Sequence, residues 1–194
     1  MIRIQITERL IADAELLVDD AHQSLKDSGR YTDENLMIGA IGEAALIDYC
    51  WSNDLLIFKN DGRSSDLRLY SGQTVEVKTQ KVTTDPQEYY RVLIQSRSQN
   101  TEKSDFIFFT HLQYIAGRPE VIWLIGGCSW DKFFRLSQRH PQGSPMMHHY
   151  PDGSEIANGR YFPFETNLLP ISQLAPPSAT IKHFKSLQQK EITI

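Results

Sequence analysis

Residues 71–80 read SGQTVEVKTQ, and their reading decides the fold. Gly72 and Gln73 mark a turn, after which Val75, Glu76, Val77 and Lys78 alternate strictly between apolar and charged. Side chains on a strand repeat every two residues, so Val75 and Val77 share one face while Glu76 and Lys78 share the other. Taken alone, an E-x-K on a strand reads as an exposed ion pair worth ~0–1 kcal/mol. The residues upstream change that reading. Asp66 to Tyr70 also alternates and runs into Ser71-Gly72, so 66–79 reads as a β-hairpin. Such a hairpin brings Asp66 and Glu76 together at one end of a sheet. Two carboxylates held there repel each other unless a cation lies between them or one is protonated.

Working outward, Leu10, Ala14, Leu17, Val18 and Ala21 recur at helical spacing and predict an amphipathic helix over about 8–27. A second helix begins at Thr32, a suitable N-cap with Asn35 three residues on. In this second helix Leu36, Ile38, Ala40, Ile41, Ala44, Ala45 and Ile47 are apolar around most of the circumference, which predicts burial. Glu43 is the only acid in that stretch, and Gly39 and Gly42 suit a face against which another backbone packs closely. Downstream, 105–110 and 121–126 are nearly continuous apolar runs, as expected of strands covered on both faces. A short helix starts near Ser129 or Asp131, and YFPFE and NLLPISQL return to strand-like patterns. Arg139 to Gly159 and the Ala175-Pro176-Pro177 segment read as loops. The order predicts an α/β fold, with a mixed central sheet of about five strands flanked by helices.

The 194 residues, 40% hydrophobic and 23% charged, fit one domain: an N-terminal helix over 1–30, a core over 32–135 and a C-terminal extension over 136–194. A net charge of −4 gives no global basic field, so contact with nucleic acid needs a local patch. Lys81, Arg91, Arg97 and Lys103 are the nearest basic residues after the E-x-K, although solubility explains them equally well. Cys50 and Cys128 form no C-x-x-C pair and suit buried thiols in a reducing cytoplasm. Acidic residues stand where a signal peptide needs an apolar core, and no window approaches a membrane span of ~20 apolar residues. A cytoplasmic protein without membrane contact is the expectation.

Glu43 in a buried helix, Asp66 opening a hairpin strand and Glu76-Val77-Lys78 on its partner form a set with a chemical meaning. Oxygen ligands select Mg²⁺, with Mn²⁺ as a substitute, and Mg²⁺ takes few carboxylates beside water and phosphate. Lys78, on the face of Glu76, would orient water and offset negative charge developing on phosphorus. These are the parts of a phosphodiester hydrolase.

The set resembles the PD-(D/E)XK nuclease superfamily, with its restriction-endonuclease-like fold. The resemblance is carried by IGEAA with Glu43, SSDLRL with Asp66 and VEVKTQ with Glu76 and Lys78, and it covers roughly 32–127. It implies an αβββαβ core and a Mg²⁺-dependent endonuclease acting on DNA. It further implies metal binding by Asp66, Glu76 and the Val77 carbonyl, with Glu43 completing a second metal position or bonding its water, and a further polar site residue at Gln80. A homodimer would let two such sites cut two strands. No proline precedes Asp66, where Ser65 stands, and the DPQEYYRVLIQSRSQN stretch is a poor match to the family's helix between hairpin and next strand. The alternative is a catalytically inactive module of the same fold that binds nucleic acid or a protein partner. Asp61 rivals Asp66, but Asn60-Asp61-Gly62 is a turn signal. Met146-Met147-His148-His149-Tyr150 reads as an exposed loop, with contact to DNA as its alternative. Tyr89-Tyr90 reads as a packed aromatic pair, with base stacking as the alternative.

Overall fold

The computed structural model describes residues 1–25, 32–60, 65–95 and 103–192. Asp61 and Arg97 lie outside them. Within the described residues the chain is a mixed α/β structure, and its main sheet has six strands in the order β1 (Ile2–Gln5), β7 (Arg118–Ser129), β6 (Phe106–Ile115), β4 (Thr74–Val82), β3 (Leu67–Leu69) and β2 (Ile57–Lys59). β4 and β6 run parallel, and the other neighbours are antiparallel.

Two strands of this sheet escape the sequence reading. β1 is an edge strand whose Ile2 and Ile4 turn inward against the core while Arg3 and Gln5 stay exposed. β2 lies at the opposite edge, and its Ile57 is fully buried. Both have the alternation of a half-buried strand, but over only three or four residues.

The expected hairpin is present, with Leu67 opposite Val75 and Arg68 opposite Thr74. Its partner strand is longer than expected, because parallel pairing with β6 carries it from Val75 to Val82. Thr74 fixes the start of that pairing: its amide and hydroxyl donate to Asp105 Oδ2 at 2.8 and 3.0 Å.

The two faces of the sheet carry separate cores. On one face Val75, Val77, Phe108, Leu112, Ile122 and Leu124 pack beneath α1 (Glu8–Leu25), α2 (Asp33–Trp51) and α4 (Pro177–Ile192). On the other face Ile107, Phe109 and Ile125 meet α3 (Trp130–Leu136) and a three-stranded sheet in the order β5 (Arg91–Gln95), β11 (Thr166–Pro170), β8 (Gln138–His140). β6 is buried along most of its length because it feeds both cores by turns. Thr32 caps α2 by accepting from Asn35 N at 3.2 Å, and Ser129 caps α3 by accepting from Lys132 N at 3.3 Å.

Three expectations are corrected. No helix connects β4 to β6 among the described residues. The stretch after Pro86 instead forms β5, whose Val92 and Ile94 are buried beneath the sheet. The segment Arg139 to Gly159 is not a loop: it supplies part of β8 and the hairpin of β9 (Pro145–His149) and β10 (Glu155–Tyr161). Pro151-Asp152-Gly153-Ser154 is the turn, with Gly153 at φ +83° and Asp152 Oδ1 accepting from Ser154 N at 2.9 Å. Third, the short proline-rich segment leads directly into α4, with Pro177 as its first residue, where a missing N–H costs nothing. Ala175 exchanges two 3.0 Å backbone hydrogen bonds with Gly127, which ties the entry of α4 to β7. Beside that bridge, Gly126 has φ +141° and no space for a side chain against the Ala175 carbonyl.

Gly42 and Gly39 separate cleanly. A Cβ on Gly42 would collide with Thr79 Oγ1 and stand 2.6 Å from Thr110 Oγ1, so α2 rests directly on the β4–β6 pair at this point. A Cβ on Gly39 meets nothing within 4 Å. Overpacking costs about 1–3 kcal/mol and glycine in a helix about 1 kcal/mol relative to alanine. Gly39→Ala is therefore expected to raise the melting temperature by about 2–4 °C. Gly42→Ala is expected to lower it, and calorimetric melting of the two variants beside the parent checks both signs.

Candidate active site

The four residues of the predicted set come together. Asp66 stands immediately before β3, and Asn60 fastens that entry: its side-chain amide donates to Ser65 Oγ at 2.6 Å, and its backbone N–H donates to Asp66 O at 3.0 Å. Asp66 Oδ2 accepts the Val77 N–H at 2.7 Å. β3 pairs with β4 only at Thr74 and Val75, so Asp66 takes over the edge of β4 where β3 stops. In an extended strand the N–H and C=O of one residue point to the same side. The Val77 carbonyl therefore faces the Asp66 edge.

Glu76 and Lys78 share a face of β4, and Lys78 Nζ lies 2.5 Å from Glu76 Oε1. Both are largely enclosed, at 15% and 30% side-chain exposure, which separates this pair from a solvated surface ion pair. Glu43 projects from α2, the turn fixed by Gly42. Its Oε2 pairs with Lys59 Nζ of β2 at 2.6 Å, and its side chain is 12% exposed. Lys59 was not expected, since the strand that carries it was not.

The electrostatics converge on Asp66. The residue is half-buried. Burial, then Glu76, then Glu43 push its pKa up to about 8, against the opposing effects of Lys78 and the Val77 N–H. With Asp66 protonated, two carboxylates face two ammonium groups and the cluster is neutral. Ionising Asp66 leaves one negative charge uncompensated in an enclosed place, which a proton or a bound cation corrects. The three carboxylates use Asp66 Oδ2, Glu43 Oε2 and Glu76 Oε1 in the bonds above, and their other oxygens take no part in them. Among the described residues, no three His, Cys, Asp or Glu side chains are grouped so that they could hold a metal ion.

Beyond Lys78 the same face continues to Gln80, which pairs with His111 of β6 in the parallel register. Both line a cleft of about 550 Å³ between the main sheet, β5 and the β9–β10 hairpin. His111 is 2% exposed, and neither of its ring nitrogens has a hydrogen-bond partner. Burial pushes its pKa down to about 4, so the ring is neutral at physiological pH. The sequence signal was a lone histidine in the apolar run of β6, opposite a glutamine.

The basic residues expected to touch a nucleic-acid backbone are engaged within the fold. Lys81 pairs with Glu34 at 2.6 Å and lies 4.0 Å over the Tyr114 ring, Arg91 pairs with Glu155 at 2.6 Å, and exposed Lys103 lies 3.6 Å from Asp131. Met146 to His149 form β9, with Met146, Met147 and His149 half-buried rather than looped into solvent. Tyr89 and Tyr90 form an edge-to-face pair, ring centroids 5.0 Å apart. Cys50 and Cys128 are buried free thiols, whose pKa values burial pushes up to about 12 and about 11. Among the described residues, no helix is long and apolar enough to cross a membrane.

No protein-family model and no curated protein matches the chain.

A pH dependence follows from Asp66. Its folded pKa lies above the ordinary carboxyl value near 3.9, so it favours the fold fully at low pH and loses that contribution as pH rises to about 8. Asp66→Asn keeps the acceptor for Val77 N–H and removes the charge. In chelator it is expected to raise the melting temperature clearly more at pH 8 than at pH 5. An equal shift at both values would place the destabilisation elsewhere.

Proposed function

We propose that the protein is a Mg²⁺-dependent nuclease of the PD-(D/E)XK type that hydrolyses phosphodiester bonds in DNA. The observation that carries this reading is the convergence on the half-buried Asp66 of two acids from other elements, Glu43 and Glu76, with Lys78 beside them. An acid from a helix, one from a strand entry and an E-x-K on the partner strand have no common structural purpose, and their assembly raises the free energy of the ionised form. Catalytic sites accept that cost because the reaction needs the charges.

The chemistry of the donors suits the metal. Asp66, Glu76 and the Val77 carbonyl would hold it and Glu43 would support it, all through the oxygen atoms that Mg²⁺ selects, with Mn²⁺ able to substitute. When bound, the ion lowers the pKa of a coordinated water and polarises the phosphoryl oxygen. The chain's own residues do the rest. Asp66 would serve as a ligand only when ionised, so metal affinity would rise with pH. Lys78 donates toward the attacking water or the phosphate oxygen and stabilises charge as it develops there. Lys59 holds Glu43 against the sheet. The Val77 N–H keeps the Asp66 carboxylate in one orientation.

A second reading has one observation in its favour. Glu43 and Glu76 are each already neutralised by a lysine, as a binding module without catalysis would have them.

Cleavage of supercoiled plasmid, linear duplex, single strand, junction and RNA separates the two readings. With Mg²⁺ or Mn²⁺ the parent is expected to cut at least one substrate, and with chelator none. Glu76→Ala and Lys78→Ala are expected to reduce the rate by about 10²–10⁴-fold while folding normally by circular dichroism. Absence of cutting, together with absence of Mn²⁺ binding by calorimetry, selects the binding module.

A further inference from the structure

The cleft beyond Lys78 is a built site that phosphodiester hydrolysis alone does not explain. Gln80 is two residues past Lys78 on the same face, about 7 Å along the strand, and it forms the wall nearest the carboxylates. His111 lies beside it on β6, enclosed and with both ring nitrogens unpartnered. Leaving a buried polar atom without a partner costs about 1–3 kcal/mol. A leucine would fill the same place in β6 without that cost, as Leu112 does one position on. Tyr90, Tyr150 and Phe162 line the cleft together with Met146 and Met147, and Thr83, Thr84, Arg91 and Asn158 add polar groups to its walls.

The roof is fastened rather than loose. Glu155 Oε1 of β10 accepts from Arg91 Nη2 of β5 at 2.6 Å and pairs with His149 Nδ1 of β9 at 2.9 Å, while Arg91 Nη1 donates to Gln138 Oε1 at 2.9 Å. Arg91, which lines the cleft, is thereby held by Glu155 and Gln138, and the other walls offer aromatic faces and neutral polar groups. A neutral imidazole presents one donor and one acceptor, and a glutamine amide presents both. That pairing of functions is complementary to the edge of a nucleobase, and π-faces above and below are what a base stacks on. A cavity of about 550 Å³ has room for one nucleotide unit and not for a duplex.

We propose that this cleft takes one unstacked nucleobase of the substrate strand, stacked on its aromatic walls and hydrogen-bonded at its edge by His111 and Gln80. The assignment rests on the nuclease reading for its neighbour, the scissile phosphate. It deepens that reading: the substrate is single-stranded or locally opened where it is cut, since a base inside a duplex cannot reach the cleft.

The test uses the full chain in chelator, where nothing is cut. Calorimetric titration compares the four deoxynucleoside 5′-monophosphates with deoxyribose 5-phosphate. At least one nucleotide is expected to bind saturably and at least tenfold more tightly than the sugar phosphate. His111→Leu is expected to weaken that binding at least tenfold while the melting temperature holds or rises, a combination that a purely structural histidine would not give. Tyr150→Ala, an exposed position outside both cores, is expected to weaken it as well and serves if the first variant does not fold. Equal binding of nucleotides and sugar phosphate, binding that neither variant changes, or no binding of any probe overturns the proposal. Metal-dependent cleavage is read separately. Base-dependent binding by a protein that cuts nothing would uphold the cleft and remove the nuclease, whereas cutting without base-dependent binding would remove the cleft alone.

Discussion

Strand β4 is buried on one face and half-buried on the other, and the rest of the structure follows from how it meets that constraint. One side chain in two, at Val75, Val77 and Thr79, must fit beneath α2; the alternate ones, at Glu76, Lys78 and Gln80, are half-buried on the opposite face. Charges in such a place are tolerated only when each finds a partner. Glu76 finds Lys78, Glu43 finds Lys59, and Asp66 finds the Val77 N–H that β3 leaves uncovered. The short length of β3 is thus as much a part of the site as the acids are. One more ladder pair would replace the Asp66 side chain with backbone.

The close approach of α2 to this strand has a similar double role. Thr79 and Thr110 hydrogen-bond at 2.9 Å across the parallel β4–β6 pair, and Gly42 sits over them. The contact seats the helix, and Glu43 follows Gly42 directly, so its height above the sheet is set by a backbone rather than by a flexible side chain. The arrangement makes the position of the carboxylate insensitive to rotamer changes elsewhere in the helix.

Much of this was legible in the sequence, and the reasons are local. Period-two alternation at Val75 to Lys78 and apolarity all round α2 are signals that tertiary packing has little power to overrule, and they located Glu43, Asp66, Glu76, Lys78 and Gln80 on the elements that carry them. What escaped was the structure whose pattern is short or two-sided. β1 and β2 are too brief for their alternation to stand out, and Lys59 was lost with β2. The β9–β10 hairpin was read as irregular because its strands are largely exposed and polar, so the Asp152-Gly153 turn was the only strong mark it carried. β5 was hidden by Pro86 and by a partner, β11, that lies more than seventy residues away in sequence. His111 could be noticed only once its neighbour across the sheet was known.

That last separation sets an order of events during synthesis. The acids and lysines around Asp66 all lie within residues 43–78 of the chain, but their strand needs β6 beside it, and the cleft next to them is walled by residues as late as 168. Contacts of such long range are made slowly because the intervening chain must first be brought together. A ribosome releasing this chain from its N-terminus therefore exposes a charged hairpin well before its enclosure exists. The low dielectric that shifts Asp66 is a property only of the nearly finished protein, and the growing chain carries the acids in ordinary, hydrated form.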